Sequence, residues 1–105
     1  MPRGVFLVQS GPADVAESDA FNDWYNATHL PEVLEIPGFV SAQRFKVVGE
    51  RPPQEAFLAV YEIEADDLSA PLEELTRRMA VGEMTMPSGV RFDRAPVTTL
   101  YERLV

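Results

Sequence analysis

The residues best suited to chemistry lie in one short stretch, FNDWYNATHLPEVLEIPGF (residues 21–39), which contains the only histidine of the chain. Asn22, Asn26 and His29 follow the i, i+4, i+7 spacing of one helical face, and Tyr25 lies one turn before the histidine. A neutral imidazole can accept a proton from a substrate carbon or hydroxyl, and an imidazolium can stabilise an enolate or return the proton. His29 is therefore the candidate acid/base residue.

Two interpretations of His29 stay open from the sequence. The imidazole could face a ligand, or it could sit at a helix end and hydrogen bond to free backbone carbonyls. A helix C-terminus would favour the protonated ring and burial would favour the neutral ring, so the pattern leaves its charge open. One histidine, no cysteine and no carboxylate pair at ligand spacing indicate no protein-held metal site, while His29 as an axial haem ligand stays open.

Charge and composition exclude several classes of protein. Nine Lys and Arg against 17 Asp and Glu give a formal net charge of −8, which would repel nucleic acid and anionic membranes. Without cysteine there are no disulfides and no thiolate nucleophiles, and we expect a cytoplasmic protein. The apolar run at residues 5–8 is too short for a signal or membrane segment. No phosphate loop, nucleophile elbow or dinucleotide fingerprint is present.

The chain is expected to form one domain over residues 1–105. Four segments have the apolar runs or alternation typical of strands, and two have the spacing of helices. The strands are predicted at residues 3–10, 39–48, 55–64 and 96–104, and the helices at residues 14–28 and 68–79. This β-α-β-β-α-β order predicts an α+β, ferredoxin-like fold, in which a four-stranded antiparallel sheet carries both helices on one face.

The first helix has one apolar face and a predicted break. Phe21, Trp24, Tyr25 and Thr28 recur at i, i+3, i+4, i+7, the spacing of a buried helical stripe. Pro31 disfavours helical geometry in the residue before it, so the helix is predicted to end beside the histidine. A short second helical piece is then predicted from Pro31 to residue 36, where Pro-Gly stops it.

Both faces of the predicted sheet are apolar. The first strand offers Val5 and Leu7 to one side and Phe6 and Val8 to the other, and the third strand is apolar on both sides as well. Two helices cover only one face, and a face in contact with water would alternate apolar with polar residues. Twofold homodimers are the commonest soluble oligomers, so we expect a second copy to pack on the open face and form a barrel. Incomplete closure would leave a partly apolar cavity suited to a ligand.

Four further side chains are candidates for contact with a ligand. Asn22 and Tyr25 could orient the imidazole or a substrate oxygen, although tyrosines of this kind more often fill a core. Arg44 lies in the middle of a strand, where it is either an edge charge that reaches solvent or a cavity cation, and we favour the edge charge. Tyr61, on the third strand, has the same ambiguity.

The stretch also resembles a known family. The run Phe21-Asn22-x-Trp24-Tyr25-x-x-x-His29-Leu30-Pro31, with Pro37-Gly38-Phe39 and Arg44-Phe45 after it, is similar to the EthD-like branch of the dimeric α+β barrel proteins. The resemblance covers residues 21–45, and elsewhere only the order of elements agrees. It implies a ferredoxin-like protomer, dimerisation through the sheets and a pocket in which the motif histidine faces ligand. Related barrels include polyketide cyclases, muconolactone isomerases, quinone-forming monooxygenases and haem-degrading enzymes, so the fold does not choose a reaction.

We therefore predict a cofactor-independent enzyme of isomerase, cyclase or lyase type. It would act on a small aromatic or polyketide-like metabolite, with His29 as acid/base, Asn22 and Tyr25 as orienting groups, and Arg44 or Tyr61 stabilising negative charge. The predicted partners are a small-molecule substrate and a second copy of the chain, with no metal, nucleic acid or membrane. The alternatives are a non-catalytic ligand-binding or accessory dimer and a haem-handling enzyme.

Overall fold

The four predicted strands form one antiparallel sheet in a computed structural model that describes residues 1–105. The sheet order is β2-β3-β1-β4, so the first and third strands are central and the other two lie at the edges. Two helical segments pack on one face, which confirms the predicted ferredoxin-like α+β fold. The strands are β1 (Arg3–Ser10), β2 (Phe39–Lys46), β3 (Phe57–Glu64) and β4 (Val97–Glu102).

The first helical segment is continuous, and the predicted break beside His29 is wrong. It consists of α1 (Ser18–Trp24), one π-helical turn (Tyr25–His29) and α2 (Leu30–Leu34), preceded by a 3-10 turn (Val15–Glu17). Leu30 keeps helical angles, φ −57° and ψ −49°, and its N–H donates to the Tyr25 carbonyl five residues back. The wider π turn accommodates Pro31, which has no N–H and whose ring would crowd a carbonyl in regular α-helix.

The second helical segment is α3 (Ser69–Ala80), close to its predicted position. The Asp67 carboxylate accepts hydrogen bonds from the backbone N–H and the hydroxyl of Ser69 at its start. Gly82, with φ +77°, follows its end, where positive φ favours glycine. Pro71 is the only residue of α3 that is fully buried, so this helix lies on the sheet without being tightly enclosed.

The core lies between the sheet and the first helical segment. Phe21, Tyr61, Ile63, Val33 and Ile36 are each 1% exposed or less. Alternation along β3 directs residues 57, 59, 61 and 63 towards the helices, and the Phe21 and Phe57 rings stack with centroids 5.4 Å apart. This packing fixes the first helical segment against the centre of the sheet.

The opposite face of the sheet, here the outer face, carries apolar side chains that no helix of the chain covers. By the same alternation it presents Val5 and Leu7 of β1 and Val60 of β3, all partly exposed. Phe45 and Tyr101 on the edge strands are 49% and 55% exposed. The expectation of an apolar second face therefore holds for this protomer. No helix has the length and apolar character needed to cross a bilayer.

Candidate functional site

A cavity of about 660 Å³ lies between the helical face of the sheet, the first helical segment and α3. Its remaining wall is formed by residues 83–96, the greater part of the connection between α3 and β4, which we call the cover segment. Most of the lining is apolar and includes Phe6, Val8, Leu72, Leu75 and Phe92. A second depression, of about 610 Å³, lies on the outer face and contains none of the predicted site residues. The first cavity is therefore the candidate site.

His29 is part of the cavity wall, and it is 9% exposed. Its ring stacks on Trp24 with centroids 4.7 Å apart and meets the Tyr25 ring edge-on at 4.8 Å. The imidazole makes no hydrogen bond within the chain, and its Nδ1 is buried without a partner. The interpretation of His29 as a helix-end residue bonded to carbonyls is therefore wrong, because the helix continues and the ring is held by stacking alone.

The surroundings of His29 keep the imidazole neutral near pH 7. Burial lowers the pKa of His29 to about 4, the nearby Glu32 carboxylate opposes this shift, and the Arg44 guanidinium adds to it. A neutral ring offers one nitrogen lone pair to a proton. Nδ1 is closed off from solvent, whereas Nε2, which also has no partner within the chain, stays open to a ligand in the cavity.

Two buried tyrosines bring their hydroxyls together on the same cavity. The Tyr61 hydroxyl donates to the Tyr25 hydroxyl oxygen at 3.2 Å, and both residues line the cavity. Burial raises the pKa of both phenols, so both carry their protons at neutral pH. Since Tyr25 accepts from Tyr61, its own O–H remains free to donate to a ligand. The structure thus brings three predicted residues, His29, Tyr25 and Tyr61, to one wall.

Asn22 and Arg44 do not line the cavity. The Arg44 guanidinium donates to Asn22 Oδ1 at 2.9 Å and to Asn26 Oδ1 at 3.0 Å, and its carbon lies 4.3 Å from the centroid of the Tyr25 ring. Arg44 is therefore neither the solvent-directed edge charge that we favoured nor a cavity cation. It is a half-buried cation held behind Tyr25 by two amides.

Sequence analysis missed several residues of the site. Ser10, Thr98, Asp93 and Arg94 are polar residues of the lining, towards the end where β1 finishes and β4 begins. No local pattern marks them, because they come from strand ends and a connection that meet only in the folded chain. No group of three or more His, Asp or Glu side chains is placed to hold a metal ion.

Comparison with solved structures gives matches over nearly the whole chain. A putative monooxygenase from Shewanella loihica PV-4 superposes with a TM-score of 0.61 at 19% identity, covering 100% of this chain and 97% of that one. An ethyl tert-butyl ether degradation (EthD) family protein from Bacillus halodurans C-125 gives 0.60 at 18% identity, covering 99% and 100%.

A third similar structure contains a ligand. The monooxygenase from the gene ActVA-Orf6 of Streptomyces coelicolor, in complex with nanaomycin D, matches with a TM-score of 0.54 at 12% identity, covering 99% of this chain and 88% of that one. No protein-family model matches the sequence, and a comparison with curated proteins finds no match. At these identities the likeness establishes the fold. The chain shares the ferredoxin-like α+β fold of these structures, an EthD family protein among them, as its resemblance to EthD-like proteins predicted.

Proposed function

We propose that this protein is an enzyme that binds a small aromatic or polyketide-like molecule in the cavity and moves a proton at His29 without a cofactor. The observation that carries the proposal is the neutral, unpartnered imidazole on the wall of an apolar cavity, beside a tyrosine hydroxyl that is free to donate. Buried histidines normally find hydrogen-bond partners. A ligand that bonds to the open Nε2 would give the imidazole a partner, while the buried Nδ1 keeps the proton of the neutral ring.

The proton transfer starts from a substrate C–H or O–H that is acidic because a carbonyl lies next to it. The imidazole lone pair accepts this proton, and the electron pair that remains moves onto the carbonyl oxygen as an enolate or phenolate. The Tyr25 O–H donates to that oxygen, and Tyr61 supports Tyr25 by donating to it in turn. In an isomerase or cyclase the imidazolium then returns the proton to another carbon or oxygen of the same molecule. In a lyase the enolate expels a leaving group as the bond to that group breaks, and the imidazolium protonates the group that departs.

The low pKa of His29 shapes this mechanism. With a pKa of about 4 the free imidazole is a weak base and its conjugate acid is strong. An enolate that forms beside the ring raises its pKa while the charge is present, since an opposite charge favours the protonated form. The proton is consequently taken up only together with formation of the substrate anion and is returned readily.

In this proposal Arg44 and Asn22 act from behind Tyr25. The guanidinium faces the Tyr25 ring at 4.3 Å and favours negative charge that develops near the phenol oxygen. Asn22 holds the guanidinium in place through its amide oxygen. We assign both as positioning residues for Tyr25, a role that replaces the predicted contact with substrate.

The lining of the cavity favours a largely apolar, aromatic ligand. Its volume of about 660 Å³ and its apolar residues are suited to a fused-ring molecule with a polar edge at His29 and Tyr25. Nanaomycin D, the ligand in the ActVA-Orf6 complex, supports this class of molecule.

The test is proton exchange in D₂O with an aryl 1,3-diketone, whose central C–H is acidic, followed by proton NMR. We expect the protein to accelerate exchange, His29→Gln to abolish the acceleration, and Tyr25→Phe to lower it by about 10- to 100-fold. Glu35→Gln, an exposed change on the same helical segment, serves as the control and keeps full activity. Equal exchange rates for wild type and His29→Gln would falsify the proposal.

A non-catalytic ligand-binding protein is the second candidate, and the weak basicity of His29 favours it. Trp24 is the only tryptophan of the chain and lines the cavity, so its fluorescence reports occupancy directly. Binding alone would be indicated by two results: nanaomycin D quenches the Trp24 fluorescence to saturation, and the protein accelerates proton exchange of no diketone above the rate in buffer. Quenching together with exchange that depends on His29 decides for the enzyme.

We also propose that a second copy of the chain covers the outer face, and that the protein acts in the cytoplasm. The uncovered apolar side chains of that face, Val5, Leu7 and Val60 among them, support the dimer. Sedimentation should give twice the mass of the chain, and Val60→Glu should shift it to monomer. A monomeric wild type at 50 μM would contradict this part of the proposal.

A further inference from the structure

We infer that Glu32 and Thr85 are positioning residues that tie the cover segment to the helix turns on either side of His29 and, through Trp24, hold the imidazole in place. Neither residue lines the cavity. The inference rests on the proposed function of His29 for its catalytic meaning. The contacts that carry it are independent of any ligand.

The cover segment, residues 83–96, contains no helix or strand but encloses one side of the cavity. Met84 is buried in the core, whereas Met86 and Phe92 contribute to the cavity wall. A connection of this length depends on side-chain contacts to stay in one conformation, because no strand or helix ladder holds its backbone.

Thr85 joins the start of this segment to the helix that bears His29, whereas Arg91 joins its far part to Glu17, just before that helix begins. Its backbone N–H donates to Glu32 Oε1 at 2.8 Å, and its hydroxyl donates to Glu32 Oε2 at 2.6 Å. Its carbonyl accepts from Trp24 Nε1 at 2.8 Å. All three polar groups of Thr85 are therefore engaged by two residues, one before and one after His29. The short distances to the carboxylate are typical of charge-assisted hydrogen bonds.

Trp24 transmits this attachment to the imidazole. Its indole ring stacks on His29 at 4.7 Å with 25° between the planes, and its N–H is bonded to the Thr85 carbonyl. Because His29 has no hydrogen bond of its own, stacking is what defines the orientation of its ring. Loss of the Thr85 contacts would free the start of the cover segment and the indole, and the imidazole would lose its fixed direction. The far part of the segment stays attached, since Arg91 bonds to Glu17.

Glu32 has a second effect, which is electrostatic. The charged groups that influence His29 are Glu32 on its own helix and Arg44 from β2, and the carboxylate alone favours the protonated ring. Hydrogen bonds from Thr85 lower the pKa of Glu32 and keep it ionised. Neutralising Glu32 should therefore lower the pKa of His29 further, which a purely mechanical role would not do.

The experiment compares Thr85→Val, Glu32→Gln and the control Glu35→Gln in the full chain. Amide hydrogen exchange around Thr85, at residues 83–87, should accelerate about 10-fold in Thr85→Val, whereas the part of the segment that Arg91 anchors should change little. Thr85→Ser, which restores the hydroxyl, should recover the wild-type rates. The single histidine gives one set of imidazole NMR signals, whose pH midpoint should fall in Glu32→Gln alone. In Thr85→Val and in Glu32→Gln, the kcat of diketone exchange should drop about 10-fold, and the affinity for nanaomycin D should change little.

The inference is overturned if Thr85→Val and Glu32→Gln match Glu35→Gln in hydrogen exchange and in the His29 midpoint. It is overturned in its mechanical part if Thr85→Ser fails to recover protection of the cover segment. Failure of the proposed function has a different signature. Wild type would then catalyse no exchange, while the hydrogen-exchange and NMR differences among these variants would persist.

Discussion

The two helical segments lie on the same face of the sheet but pack on it in different ways. The first contributes Phe21, Tyr25, His29 and Val33 to the buried set, whereas α3 contributes only Pro71. Leu72 and Leu75 of α3 instead line the cavity and stay partly exposed. The first segment is therefore part of the core, and α3 is the wall of a space that the core does not fill.

This difference explains how a small domain can maintain a cavity of about 660 Å³. Close packing on one half of the sheet supplies the stability, and the other half is left open as a cavity. The chemistry-bearing residues lie on the tightly packed side and face the open one. Such a site combines rigid placement of His29 and Tyr25 with a boundary, α3 and the cover segment, that tolerates change.

The sharpest contrast should come from truncating one apolar side chain in each helix. Phe21→Ala removes a ring that is 1% exposed and packs against four aromatic neighbours, so we expect a loss of about 3–5 kcal/mol. Leu75→Ala, at the cavity wall, should cost about 1 kcal/mol. Urea unfolding followed by circular dichroism measures both. Similar losses would mean that α3 is as much a part of the core as the first segment.

The burial of His29 predicts a pH-dependent stability. The native pKa is about 4 and the ordinary value is 6.5, so between these values the unfolded chain binds a proton that the native state does not. Stability is therefore full above pH 6.5 and falls as the pH drops towards 4, by about 3 kcal/mol from this residue. His29→Gln should lack this component when urea unfolding is compared at pH 7 and pH 4. Parallel pH profiles for the two proteins would show that His29 is more hydrated than its surroundings indicate.

The two helical segments can also be compared by replacing one arginine that contacts each of them, Arg44 beside the first segment and Arg78 on α3. Arg44→Met loses two amide hydrogen bonds and the contact with the Tyr25 ring, and should cost about 1–2 kcal/mol. Arg78→Met loses an i,i+4 ion pair with Glu74 on the surface of α3 and should leave the urea midpoint unchanged. An equal shift in both midpoints would contradict the assignment of Arg44 as a packed, positioning residue.

A change at Met79, an exposed residue of the cavity wall, should affect ligand affinity more than stability. Met79 lines the cavity and is 48% exposed, so Met79→Ala should alter the free energy of unfolding by less than about 0.5 kcal/mol. The same variant widens the cavity and should change the affinity for nanaomycin D, measured by Trp24 fluorescence. A large loss of stability with no change in affinity would place Met79 in the core.

Most of the fold could be predicted because its signals are local. The apolar run at residues 3–10 coincides with β1, and the helical spacing at residues 68–79 agrees with α3 to within one residue at each end. Strand order and the side-chain faces follow from the ferredoxin-like topology and from alternation. The strand ends were predicted slightly long, since β2 and β4 stop earlier than their apolar residues do.

The site could be predicted only in part, because its arrangement depends on contacts between distant parts of the chain. His29 and Tyr25 are neighbours on one helix, so their proximity follows from spacing. The pairing of Tyr25 with Tyr61 and the clamp of Arg44 by two amides require the helix to lie across the strands in one particular way. The attachment of Thr85 to Glu32 joins residues 53 positions apart and leaves no local signal.

The π turn has a consequence for the phase of the helix. Regular α-helix advances about 100° per residue, so side chains spaced by four drift by about 40° at each step and would leave the sheet within three steps. Phe21, Tyr25, His29 and Val33 are spaced by four and all stay buried, because the wider turn at Tyr25–His29 slows the rotation and absorbs the drift. A uniform helical period assigns Thr28 to the apolar stripe, but the structure leaves Thr28 partly exposed and buries His29 instead. A single irregular turn thus decides which side chain of this helix reaches the cavity.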